Sequence, residues 1–141
     1  IISDNQQKDS LETGLKLYAN GDLLAFQNKN TQAIDTLQKI IRDFKGQKIE
    51  DEALYKQANL FTKTNQFEKA IANYTQVIAL DKEGVFVDDA LYQIAEIYNT
   101  KLNNTEKASE YYQKIIFEHP SSIYLVDSRK KYRKLRGDII N

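Results

Sequence analysis

The feature that most restricts how this chain can fold is an internal repeat. Asp51-Glu52-Ala53-Leu54-Tyr55-Lys56-Gln57-Ala58 returns 37 positions later as Asp88-Asp89-Ala90-Leu91-Tyr92-Gln93-Ile94-Ala95. The downstream halves match too. Glu68-Lys69-Ala70 through Tyr74 to Ile78 aligns with Glu106-Lys107-Ala108 through Tyr112 to Ile116, now 38 apart, which puts one inserted residue in the turn around Lys101 to Asn104. A diverged upstream copy has Leu17-Tyr18, Gly21 and Leu24 ahead of Ala33, Leu37 and Ile40-Ile41, again 37 residues before their counterparts. Self-similarity at this period specifies a stack of like units, each unable to bury its apolar face alone.

Each half-repeat has helical periodicity. Leu54, Ala58 and Phe61 are spaced i, i+4, i+7, and Ala70, Tyr74, Val77 and Ile78 are spaced i, i+4, i+7, i+8, so each unit reads as a helix pair. With five Gly and one Pro in the chain, there is little turn chemistry for a many-stranded sheet. Asp51 and Asp88 stand where N-caps are expected, and Gly46, Gly84 and Gly137 where left-handed C-terminal residues are expected. Asn28-Lys29-Asn30, Thr64-Asn65-Gln66 and Asn103-Asn104 read as short turns within pairs, forcing antiparallel neighbours. The pattern predicts helices near 9–28, 31–45, 50–64, 67–81, 87–101, 105–118 and 122–136. The expected architecture is all-α: one domain over 1–141, with helix pairs at about 9–46, 50–84 and 87–120 and a capping helix at about 122–136.

Composition narrows the class. Among 141 residues, 20 Lys+Arg balance 20 Asp+Glu and 41% are apolar, too hydrophobic for a disordered chain and too neutral for a general polyanion binder. The absence of cysteine removes disulfides, thiol nucleophiles and thiolate metal sites. The chain begins Ile1-Ile2 and contains no Met, which reads as a piece of a larger protein, any signal or lipid anchor lying outside it. No stretch is long and apolar enough to span a bilayer.

These residues resemble the tetratricopeptide repeat. Gly21, Ala58 and Ala95 fill its small first-helix position; Leu24, Phe61 and Tyr98 fill the large one three residues on. Ala33, Ala70 and Ala108 fill the second-helix alanine, Leu37, Tyr74 and Tyr112 the position after it, and Pro120 the inter-repeat proline. The period is about three residues longer than the usual 34, and the first copy lacks the Ala-Leu-Tyr run and the second-helix aromatic. The resemblance covers roughly residues 15 to 120. It implies a right-handed α-α superhelix whose concave face holds a protein or peptide, with no cofactor, metal or small-molecule substrate. The Ala-Leu-Tyr runs with long linkers are most similar to bacterial cell-envelope members, implying the periplasm or envelope, with the cytoplasm as the alternative.

On that resemblance, Tyr18, Tyr55 and Tyr92 occupy one concave-face position, with Asp22, Asn59 and Glu96 four residues later. Two readings stand side by side: a tyrosine ladder holding a peptide, the acids favouring a basic or amide-rich one, or rings that pack between neighbouring pairs with their hydroxyls in water. Tyrosines at the positions where some family members carry Lys, Asn and Arg argue against a clamp on a terminal carboxylate.

The final helix also has two readings. Residues 121 to 141 hold six positive and two negative charges. Arg129, Lys130 and Arg133 are candidate anion-binding residues, for phosphates of nucleic acid, anionic lipid or an acidic partner domain. Alternatively, Leu125, Ser128, Tyr132 and Leu135 dock a capping helix whose cations face water and suit its C-terminal end. The leading expectation is a monomeric, non-enzymatic interaction scaffold without direct membrane contact and with nucleic acid disfavoured. The alternatives are a self-assembling repeat segment using Leu23, Leu24 and Phe26, or polyanion binding through the last helix.

No catalytic constellation emerges. His119 is the sole histidine and sits beside Pro120, where a surface-turn role is expected. Glu50-Asp51-Glu52 and Asp88-Asp89 fall at helix starts, where negative charge is stabilising. No Gly-rich phosphate loop is present.

Overall fold

The helical periodicity is realised throughout. The computed structural model describes residues 4–137, which form seven α-helices with no strand among the described residues. These are α1 (Asp4–Phe26), α2 (Asn30–Asp43), α3 (Lys48–Lys63), α4 (Phe67–Leu80), α5 (Val87–Thr100), α6 (Thr105–Glu118) and α7 (Leu125–Arg136). The contacts group the chain into two compact units, Ile1–Gln66 and Phe67–Asn141. The boundary falls at the turn between α3 and α4, inside the second sequence repeat.

In the first unit, α2 packs against both α1 and α3. Its Ala33, Leu37, Ile40 and Ile41 are buried, and Leu37 meets α1 at one of its smallest residues. A Cβ on Gly21 would lie 3.2 Å from the Leu37 side chain, and one on Gly14 would lie 3.3 Å from Phe44. Gly14 and Gly21 are two helical turns apart, so this edge of α1 is shaped to bring backbone and side chains close. Gln57 of α3 is buried yet satisfied: its side-chain amide donates to the Ile34 carbonyl and to Gln38 Oε1, both at 3.1 Å.

In the second unit, α5 packs on α4 and α6, and α7 on α6. Val87, Leu91 and Ile115 form one buried cluster, flanked by Ile78, Tyr92, Tyr111 and Tyr124. Ala95, Ala108 and Tyr112 form another, covered by Tyr92, Tyr98, Tyr111, Tyr132 and Leu135. The two alanines let the helices approach, and Tyr112 fills the space beside them.

The turns within pairs share one device. Asn28, Asn65 and Asn103 adopt left-handed conformations with φ of 63°, 63° and 52°. The residue after each asparagine donates its N–H to a carbonyl at an equivalent first-helix position: Lys29 to Leu24 at 2.8 Å, Gln66 to Phe61 at 2.7 Å and Asn104 to Tyr98 at 2.8 Å. The last of these spans one residue more, which is where the insertion lies. Asparagine tolerates this conformation better than other non-glycine residues, so each helix ends with its carbonyls satisfied.

Some expected caps are corrected. The N-caps of α3 and α5 are Gln47 and Phe86, so Asp51 and Asp88 lie within the first turns. The helices start earlier because buried Ile49 and Val87 extend their apolar stripes upstream. Glu50 serves the loop instead, its carboxylate accepting the Gly46 N–H at 2.9 Å. Gly46 and Gly137 are left-handed as expected, with φ of 82° and 86°. Gly84 is not among the positive-φ residues; a Cβ there would come within 3.0 Å of the Asp81 carbonyl, so crowding is what favours glycine. Helix α7 begins at Leu125 rather than 122, because Ser122 turns the chain by accepting the Tyr124 N–H at 3.1 Å.

Candidate functional site

The six ladder residues divide between the units and meet different surroundings. In the first unit, Tyr18 and Tyr55 are half-buried on α1 and α3. Burial raises the Tyr18 phenol pKa, and the charges of Asp22 and Glu52 push it further in the same direction. Asp22 pairs with Lys56 at 2.7 Å, an ion pair joining α1 to α3. One turn beyond Lys56, partly buried Asn59 lies beside a cleft of about 310 Å³. Asp22, Phe26, Lys56, Asn59 and Lys63 line it, with Ala25 and Leu60 completing the walls.

This cleft has a defined polarity. Asp22 is matched by Lys56, whereas Lys63 donates to the neutral amide oxygen of Asn28 at 2.8 Å. The cleft thus carries one surplus positive charge beside Phe26, which is 89% exposed. An exposed phenylalanine and a cation held in place by an asparagine suit an acidic segment with an apolar side chain. Lys56 neutralises Asp22 in this unit, which removes the charge on which the expectation of a basic ligand, though not that of an amide-rich one, rested. Lys56 and Lys63 were not singled out from the sequence, and Phe26 was named there only as part of an edge for self-assembly. The available signal was their spacing, Lys56 and Lys63 falling seven residues apart on the helix edge that carries Asn59.

In the second unit the equivalent residues are engaged internally. The Tyr92 ring stacks on Tyr124, with centroids 4.3 Å apart and planes 12° apart, and meets Tyr112 edge-on at 6.2 Å. Its hydroxyl donates to Asp127 and lies 3.2 Å from Glu96. Lys131 donates to Glu96 at 2.6 Å and to the Tyr92 oxygen at 2.7 Å, with Asp127 at 3.1 Å and the Tyr92 ring centroid at 5.1 Å. Tyr112 donates to the other Glu96 oxygen, and Tyr124 to Asp89. Burial is the largest influence raising Tyr92, helped by the bond to Asp127, and its phenol is pushed up to about 12. Tyr92 and Glu96 are therefore engaged by α7, and the Tyr92 hydroxyl is held by Asp127 and Lys131 rather than left to water.

Helix α7 docks through Ser128, Tyr132 and Leu135, with the Tyr132 hydroxyl accepting from Gln113 at 2.8 Å. Lys131 turns inward, while Arg129, Lys130 and Arg133 remain exposed on its outer face. His119 caps the end of α6 and is partly buried, its Nδ1 3.2 Å from Asp88. On α1, Leu23 and Phe26 are exposed and Leu24 is half-buried. Among the described residues no group of three His, Asp or Glu side chains is placed to hold a metal ion, and no helix is long and apolar enough to cross a membrane.

The family model for the tetratricopeptide repeat matches residues 52–82 and 89–122. In sequence these two segments are similar to tetratricopeptide repeats. The fold is shared with a tetratricopeptide repeat protein from Parabacteroides merdae, with TM-score 0.71 and 22% identity over 88% of this chain and 46% of that one. This chain thus spans about half the length of the Parabacteroides protein. It is also similar to the C-terminal TPR-containing domain of a Plasmodium falciparum protein described as FK506-binding, with TM-score 0.64, 17% identity and coverage of 97% and 95%. No curated protein gives a significant match. Tetratricopeptide repeats generally mediate protein–protein contacts.

Proposed function

We propose that the chain is a non-catalytic module that holds a segment of another polypeptide on the first-unit face carrying Tyr18, Asp22, Tyr55 and Asn59. The observation that carries this reading is the cleft beside Asn59, where Phe26 offers an exposed apolar ring and Lys63 a positive charge without a carboxylate partner among the described residues. Tyr92 and Glu96, occupied by α7, contribute structure to the second unit. The ligand we propose is an acidic segment with a large apolar side chain, the ring packing against Phe26 and a carboxylate meeting Lys63. The Parabacteroides relative, about twice as long, supports reading the chain as part of a larger bacterial repeat protein. The Ala-Leu-Tyr runs extend that reading to the cell envelope.

Fluorescence anisotropy with two capped hexapeptides tests the proposal: acetyl-Glu-Glu-Leu-Phe-Glu-Glu-amide and its lysine counterpart. The acidic peptide is expected to bind, and Lys63→Glu to weaken it by about tenfold, equivalent to about 1.4 kcal/mol. Tighter binding of the lysine peptide, or indifference to Lys63→Glu and Phe26→Ala, would overturn it.

A further inference from the structure

The outer face of α7 combines two properties that the docking of this helix does not use. Val126, Arg129, Lys130, Arg133 and Lys134 fall at i, i+3, i+4, i+7 and i+8, a single helical stripe on the order of 12 Å long. All five are exposed. Among the described residues no carboxylate lies within salt-bridge distance of the four cations, whereas neighbouring Lys131 is drawn inward to Glu96 and Asp127. At the start of the stripe the side chains become aliphatic: Ile123, in the turn before α7, is 87% exposed and Val126 is 63% exposed. The inner face of the helix is taken by Ser128, Tyr132 and Leu135, so the helix is already docked when it presents the outer one.

We infer that this stripe is a docking surface for an anionic lipid bilayer. The cations would lie among acidic headgroups, and Ile123 and Val126 would enter the headgroup boundary at one end. A bilayer satisfies both halves of the surface at once, since the charge seeks phosphate and the aliphatic end seeks an apolar layer beneath it. Nucleic acid satisfies only the charge. Binding to single strands draws on exposed aromatic rings among the cations. The one aromatic residue in α7, Tyr132, is partly buried, with its hydroxyl held by Gln113 and its ring under the Arg136 guanidinium at 5.2 Å. The expectation of no direct membrane contact went with reading the last helix as a cap, and a docked inner face leaves the outer one available for attachment at a surface.

Co-sedimentation of the 141-residue chain with phosphatidylcholine vesicles, with and without about 30% phosphatidylglycerol, tests the inference directly. Binding is expected only to the anionic vesicles and should fall as salt is raised. Each basic side chain near such a surface is worth roughly fivefold in partitioning, so the triple change Arg129→Gln, Lys130→Gln and Arg133→Gln should weaken binding on the order of a hundredfold. Ile123→Ser should weaken it without altering charge. Neutralising Lys39, Lys45 and Lys48 on the first unit makes the same change in net charge and should leave binding nearly intact. Circular dichroism checks that each variant retains its helices. Equal binding to neutral vesicles, equal loss from the first-unit control, or preference for a single-stranded oligonucleotide over the anionic vesicles would each overturn the inference.

Discussion

Lys131 of α7 places its ammonium 2.6 Å from a carboxylate oxygen of Glu96 on α5, and the same nitrogen lies 3.1 Å from Asp127 one turn back on its own helix. Both carboxylates also accept tyrosine hydroxyls, Glu96 from Tyr112 and Asp127 from Tyr92. A single cation thus closes a hydrogen-bonded network that includes two side chains of α5, one of α6 and one of its own helix.

Removing that cation should be more harmful than removing any outer-face cation of the same helix. Lys131→Met leaves two partly buried carboxylates without their counter-charge and should cost about 1.5–3 kcal/mol, the range for hydrogen bonds to charged groups. Lys130→Met, with an exposed side chain, should change stability by less than about 0.5 kcal/mol. Urea denaturation followed by circular dichroism measures both, and equal midpoints for the two variants would refute the structural role given to Lys131.

The network also sets a pH dependence whose sign follows from the direction of each shift. Burial raises the Tyr92 phenol to about 12, with the Asp127 bond adding to it. For Lys131, burial acts downward, but the bonds to Glu96, Tyr92 and Asp127 outweigh it and hold the ammonium above the ordinary lysine value. A group with a raised folded-state pKa stabilises fully below its unfolded value and loses that contribution as pH climbs through the folded one. Stability should therefore decline from about pH 10 toward 12. Asp127 is shifted down, chiefly by the Tyr92 hydrogen bond, so its contribution holds above the usual aspartate range and disappears on acidification through the lowered value. Tyr92→Phe should flatten the alkaline decline. An unchanged alkaline slope in that variant would show that the network does not govern it.

The left-handed asparagines give a test of local conformation free of charge effects. Asn65 has φ of 63°, so Asn65→Val should lower stability by about 1–2 kcal/mol, whereas Asn65→Gly should be neutral or slightly stabilising. Thermal melting distinguishes these outcomes. A valine variant as stable as the original would mean the turn relaxes into another geometry.

Much of the fold was legible because burial repeats with the sequence. Ala58, Ala95, Ala33, Ala70 and Ala108, assigned to close helix contacts from their register, are fully buried. Helix starts were less legible, since Asp51 and Asp88 suit an N-cap chemically while Ile49 and Val87 carry the apolar stripe beyond them. The site was harder still. The three ladder tyrosines share a register, but register says nothing about what a neighbouring helix brings, and α7 with its N-cap residue brings Asp127, Lys131 and Tyr124 to Tyr92. Likewise, the acidity inferred from Asp22 ignored Lys56, which comes from a different helix 34 residues on. Charge balance at a site depends on tertiary neighbours, which periodicity does not supply. The asparagine turns are the reverse case: Asn28, Asn65 and Asn103 recur with the repeat, and their left-handed role follows from residue type.

The most direct test of the proposed ligand face is an amide chemical-shift titration of the isotopically labelled chain with the capped acidic hexapeptide. The account expects shifts concentrated at Tyr18, Asp22, Phe26, Asn59 and Lys63, which in Lys63→Glu appear only at about tenfold higher peptide, with the amides of Tyr92 and Glu96 unmoved. Shifts centred on α7, or none at any residue of α1 and α3 at saturating peptide, would contradict it.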